Sequence, residues 1–170
     1  MEAFEQIETD ARLVMAGASS YCYDYRRKLH QHASDRIRIL DWVSGETLDE
    51  LLTNAMIFVL PSDMEGLLLA LLDAMGAGLC LLTSDVPENR EVVEGAGFTF
   101  VKGDAVDLAQ RLRFLIANPS VREATGRRGN ASRRNSNGQR LRRISRVHTS
   151  RFLDEHRMGP RRRRQLAQPP

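Results

Sequence analysis

Phe58 to Gly78 reads FVLPSDMEGLLLALLDAMGAG, and this stretch decides how the rest of the chain is read. A short apolar run ends at Pro61, a polar break covers Ser62 to Gly66, and an apolar pattern follows that is long enough for a helix of about three turns. The order is buried strand, polar turn, helix. Two acids mark the unit: Glu65 just before the helix and Asp73 eight residues later. At helical rise they stand roughly 12 Å apart along the axis, one at the helix mouth and one two turns in.

Between the acids lie the backbone N–H groups of the first helical turn, which suit an anion such as a diphosphate. Two hydroxyl acceptors flanking a phosphate site match the chemistry of a nucleotide-sugar. The stretch resembles the donor-binding motif of retaining glycosyltransferases of the GT-B fold, most closely family 4, where it runs P-S-x-x-E-G-(x)-(x)-L-x-x-x-E-A-M-A-x-G. Pro61, Ser62, Glu65, Gly66, Leu69, Ala74, Met75 and Gly78 fall in place. Asp73 replaces the second glutamate, keeping the charge and losing one methylene of reach.

The resemblance implies that Glu65 is the catalytic-position acid and contacts the donor sugar. It places the amides of Gly66, Leu67, Leu68 and Leu69 near the diphosphate and Asp73 near the ribose. It implies no metal and no cofactor beyond the nucleoside-diphosphate sugar substrate, with the acceptor a glycan, a lipid or a small molecule.

Around this unit the chain alternates strand and helix. Ala11–Ser19 has the apolar core of a parallel strand, Tyr21–Ala33 reads as a polar surface helix, and Arg36–Val43 as the next strand. A turn at Ser44–Thr47 precedes a helix through Ala55, with Ser44 or Thr47 as its expected cap and Leu48, Leu51 and Leu52 expected to face the sheet. Met56–Leu60 and Leu79–Asp85 are further strands, Pro87–Val93 a short helix, Phe98–Val101 a last strand, and Val106–Ala117 an amphipathic helix. The expected fold is α/β, a Rossmann-like doubly wound parallel sheet forming one half of a GT-B fold, with ligands at the carboxyl ends of the strands.

At 170 residues and 42% hydrophobic content the chain has the composition of one globular domain. Its charge is divided. Residues 1–120 carry 10 Lys+Arg against 19 Asp+Glu, whereas residues 121–170 carry 15 against 3. Cys22 and Cys80 are isolated, which argues against a metal or redox site and for a reducing, cytoplasmic setting. The run Gly66–Leu82 contains Asp73, Gly76 and Gly78 and is shorter than the roughly 20 residues of a membrane span, so no transmembrane segment is expected. Attachment at the membrane face is expected only if the acceptor is a lipid.

The expected division is a nucleotide-sugar-binding domain over residues 1–128 and a basic, disordered tail over 129–170. In the family the second domain opens with a strand and a loop carrying a basic pair that neutralises the diphosphate. The residues before Ala11 show neither. The resemblance therefore implies a truncated donor-binding half whose first strand and acceptor domain lie elsewhere, and which alone binds without catalysing. Three rival classes fit the sequence less well. A sugar-nucleotide epimerase would need His groups at strand ends, and a receiver-type or flavodoxin-like module would need an acidic cluster where Ala16-Gly17-Ala18-Ser19 stands. The third, a nucleic-acid-binding protein, is supported by the Arg-rich tail alone, so no nucleic-acid partner is expected.

The tail also reads as a candidate frameshift product. Codons for Asn135-Ser136-Asn137-Gly138 read one base earlier can encode Glu-Phe-Gln-Trp, which fits the E-F-x-W sequence common at this point in the family. Sequencing the coding DNA checks this. The shifted frame is expected to stay open and to encode an acidic, alanine-rich helix; an early stop codon in it would rule the idea out.

Overall fold

The computed structural model describes residues 1–17, 23–61 and 68–135. A short helix, α1 (Glu2–Glu5), leads to β1 (Leu13–Ala16), α2 (Tyr23–His30), β2 (Ile37–Leu40), α3 (Glu46–Asn54) and β3 (Ile57–Leu60). Then come α4 (Leu68–Gly76), β4 (Cys80–Ser84), α5 (Pro87–Val93), β5 (Gly97–Phe100), α6 (Ala105–Ala117) and α7 (Pro119–Asn135). All strand pairs are parallel. They form two sheets, one of β1 and β2 and one in the order β3-β4-β5.

The three-stranded sheet carries the core. All five residues of β4 are buried, and the side chains of Cys80, Leu81 and Leu82 alternate between two apolar clusters. Leu81 joins Leu60, Leu71, Ala74, Met75, Val92 and Val93 on the face covered by α4 and α5. Cys80 and Leu82 join Phe100, Ala109, Leu112 and Leu115 on the face covered by α6, where Ala3 and Ile7 from the α1 region also pack. The helix over 105–117 thus presents the expected Leu112 and Leu115 inward, while Leu108 and Ile116 are partly buried against the same cluster. Asp104 caps it, its carboxylate accepting from the Val106 and Asp107 N–H groups at 2.8 and 3.0 Å.

The α1 segment ties the two sheets together. The Arg36 guanidinium, just before β2, lies 5.2 Å from the Phe4 ring centroid and donates to the Ile7 carbonyl at 2.6 Å. Arg113 of α6 donates to the Gln6 carbonyl at 2.6 Å. His32 sits 2.8 Å from the Glu5 carboxylate, so this histidine belongs to the α1–α2 contact.

One expectation for α3 needs correction. Its N-cap is Gly45, at φ 59°, with no side-chain cap bond, so neither Ser44 nor Thr47 caps it. Leu48, Leu51 and Leu52 form its partly buried stripe, the other residues of α3 being exposed, and Leu52 packs against the first cluster.

Past the last expected helix, α7 runs through Asn135 and packs on α4 and the start of β4. Few apolar side chains mark it; the contact is made by small residues. A Cβ at Gly126 would run into the Gly78 carbonyl oxygen, so backbone meets backbone there. At Gly129 the nearest atoms to such a Cβ are 3.5 Å away, in ordinary contact. The Asn130 amide donates to the Gly76 carbonyl at 2.7 Å, satisfying a helix-end acceptor of α4. In an isolated helix both Gly→Ala changes would stabilise by up to about 1 kcal/mol. Here Gly126→Ala is expected to destabilise by about 2 kcal/mol, because a rigid carbonyl must move. Gly129→Ala is expected to be neutral or stabilising. Urea unfolding of the two variants checks the opposite signs, and equal effects would contradict this packing.

Candidate functional site

The site region lies where β3 ends. Leu60 is buried, Pro61 is exposed, and α4 begins in the described residues at Leu68. Proline here ends the strand without withholding a ladder bond, since a strand end needs no further N–H. Glu65, Gly66 and Leu67 lie outside the described residues. Leu68 and Leu69 open the described part of α4, and Leu69 is 62% exposed, an apolar side chain held in solvent at the carboxyl end of the sheet.

Asp73 is exposed on α4, about 7.5 Å along the axis from Leu68. The reason it faces outward is the helical repeat. Leu71, Ala74 and Met75 take the buried face, and position 73 falls opposite them. Asp73 lines a depression of about 350 Å³ with Leu48, Asp49, Leu52 and Thr53 of α3, Ala77, and Arg133 of α7. The depression offers two carboxylates, a hydroxyl and a guanidinium over an apolar floor of half-covered leucines. Such a set accepts hydrogen bonds from hydroxyl groups and receives a flat polar ring.

Nothing in the local sequence marks Asp49, Thr53 or Arg133 as site residues. One signal was present: Gly76 stands where the family motif has alanine. A Cβ at residue 76 would collide with the Arg133 guanidinium, so the glycine leaves room for that side chain to cross α4. Arg133 has a polar partner of its own and is not a spare cation.

Two other groups near the sheet are perturbed. Asp85, at the carboxyl end of β4, is held below the usual carboxylate range, first by the Lys102 N–H donating at 3.0 Å and also by the Arg90 guanidinium at 3.0 Å. The first bond fastens the β4 end to the residues after β5 and the second fastens it to α5, a structural task. Burial pushes the Cys80 thiol up to about 11, with nearby Arg122 acting weakly in the other direction, so this thiol is protonated and unreactive at neutral pH. Among the described residues no group of three or more His, Cys, Asp or Glu side chains could hold a metal ion. No helix among them is long and apolar enough to cross a membrane.

Comparison with known proteins places this geometry in a lineage. The chain is 32% identical over 92 residues to sulfoquinovosyl transferase SQD2 of Arabidopsis thaliana, covering 50% of this chain and 18% of that protein. It is 28% identical over 135 residues to O-antigen chain mannosyltransferase B of Escherichia coli, covering 76% of this chain and 35% of that protein. Among solved structures it is similar to sucrose-phosphate synthase from Thermosynechococcus elongatus, at TM-score 0.69 and 22% identity over 85% of this chain and 41% of the other. Anabaena HepE, solved with UDP and glucose, matches at TM-score 0.72 and 17% identity, over 92% of this chain and 43% of the other. These likenesses show the fold, a Rossmann-like half of a GT-B glycosyltransferase, and the chain spans less than half the length of each of these relatives. The model of the family described as glycosyl transferases group 1 matches residues 1–118, and the chain belongs to that family.

Proposed function

We propose that the chain is the donor-binding half of a retaining, family 4-like glycosyltransferase and that it binds a nucleoside-diphosphate sugar at the β3–α4 junction. The observation that carries this reading is Asp73. It is the second acid of the motif, and it faces outward into a depression edged by α3, one helix over from the strand end where Glu65 follows in sequence. In this reading Glu65 contacts the sugar, the amides of Gly66 to Leu69 face the diphosphate, and Asp73 accepts from the ribose hydroxyls. Asp49 and Thr53 edge the same depression and are in position to share that contact.

In the complete enzyme the glycosyl unit would pass to an acceptor glycan, lipid or small molecule with retention at the anomeric carbon. The bond to the diphosphate breaks as negative charge develops on the leaving group, and helix-end N–H groups lower the barrier by a few kcal/mol where they point at that charge. No metal is invoked. The likeness to Anabaena HepE, whose structures hold UDP, UDP-glucose, or UDP and glucose, supports a uridine nucleotide as the first donor to try. The setting is cytoplasmic, at the membrane face if the acceptor is a lipid.

Calorimetric titration of the full chain with UDP and with UDP-glucose tests the reading. Asp73→Ala is expected to weaken both ligands by about tenfold, the loss of one charge-assisted hydrogen-bonded contact. Glu65→Gln is expected to weaken UDP-glucose and leave UDP unchanged. Parent-like affinity for both ligands in Asp73→Ala would refute the ribose assignment. The chain alone is expected to transfer no sugar, and transfer by the purified chain would show that the donor half needs no partner domain.

A further inference from the structure

Strand β5 is an outer strand of the three-stranded sheet, and its side away from β4 has no strand neighbour among the described residues. In a parallel ladder both backbone groups of a residue point to one side, and that side alternates along the strand. The Asp85 N–H donates to the Phe100 carbonyl, so Phe98 and Phe100 turn their backbone groups to β4 while Gly97 and Thr99 turn theirs outward. Val101 would be the next outward residue, but its N–H is taken by the Asp107 carboxylate at 2.7 Å. Strand edges are commonly blunted by charged side chains, proline or a bulge. Gly97-Phe98-Thr99-Phe100 has neither a charge nor a proline.

An apolar surface adjoins this edge. Phe98 and Phe100 pack on the cluster that α6 covers. The Asp107 bond sets residue 101 level with residue 107 of α6. Three residues back along the strand is about 10 Å, the length of roughly seven helical residues, which brings Phe98 level with Phe114. The two rings do meet edge to face, with centroids 6.4 Å apart and planes at 67°. Phe114 nevertheless stays 48% exposed. A half-covered ring therefore stands at the height of the outward backbone groups.

The edge can pair with a copy of itself in one register. In an antiparallel pair the outward residues of one strand must oppose outward residues of the other. A two-fold axis through Thr99 sets Gly97 against Val101, whose N–H is occupied. An axis through Gly97 sets Thr99 against Gly95, which at φ 71° has left the strand. An axis through Phe98 pairs Gly97 with Thr99 on both sides of the axis, and each pair exchanges both of its N–H···O bonds. Phe98 then faces its own copy in a close non-hydrogen-bonded pair, with Cβ atoms about 4.5–5.5 Å apart, and the Phe114 rings flank it. Charge agrees with this register. It brings Glu94, exposed before the amino end of β5, toward Lys102, exposed after the carboxyl end of the copy, whereas the axis through Thr99 would bring Glu94 toward Asp104.

We propose that the chain forms a two-fold dimer through β5, antiparallel to a second copy about Phe98, so that the two three-stranded sheets become continuous. The contact is isologous, with the same patch used twice. The interface is small, and the dimer is accordingly weak. The β5 edge lies on the far side of β4 from β3, so the inference is independent of which ligand the β3–α4 junction binds.

Sedimentation velocity of the full chain over a range of protein concentrations tests it. The chain is expected to pass from monomer to dimer with a Kd of about 10–100 μM. Over the same range the Gly97 and Thr99 amides are expected to slow in hydrogen exchange by about threefold or more. Phe114→Glu sets like charges beside the axis and is expected to weaken the dimer at least about tenfold. Glu94→Lys and Lys102→Glu change exposed side chains, so both variants are expected to fold. Each is expected to weaken self-association, and mixing the two is expected to restore it, because opposite charges then meet at both ends of the interface. A monomer at every concentration, a dimer of unchanged strength in Phe114→Glu, no recovery on mixing, or Gly97 and Thr99 amides already slow in the dilute monomer would overturn the proposal.

Discussion

The structure depends on the burial of β4. A strand of five residues with no exposed member has apolar material on both faces, and its alternation assigns Leu81 to one cluster and Cys80 and Leu82 to the other. Each fully buried leucine contributes about 2 kcal/mol of transfer free energy. The helices α4, α5 and α6 are placed by which of these faces they cover. The same requirement fixes where α7 lies, since its glycine at position 126 meets the Gly78 carbonyl one residue before Leu79 leads into the strand.

Much of this was legible in the sequence because each βα unit announces itself locally. The strand expected over Leu79–Asp85 is found over Cys80–Ser84, and the helix expected over Val106–Ala117 is found over Ala105–Ala117. Pro87 at the start of α5 and the apolar spacing of α6 are short-range signals that tertiary contacts did not override. Pairing is another matter. Whether β1 lies beside β3 depends on residues more than forty positions apart in sequence, and composition carries no trace of it.

The site was legible in its acids and illegible in its walls. Asp73 stood out by its distance from Glu65, and the structure puts it on the exposed face of α4. Asp49, Thr53 and Arg133 come from α3 and α7, elements whose placement beside α4 is a packing result. Arg133 is instructive. It sits among arginines that read as an unstructured basic tail, and what lets it reach the depression is the missing side chain of Gly76, fifty-seven positions away.

The most direct measurement of the account is a crystal structure of the chain with UDP-glucose. The uridine ribose is expected at the Asp73 depression and the diphosphate against the α4 amides at Leu68 and Leu69. Density for the nucleotide anywhere else, on the arginines after Asn135 for example, would contradict it.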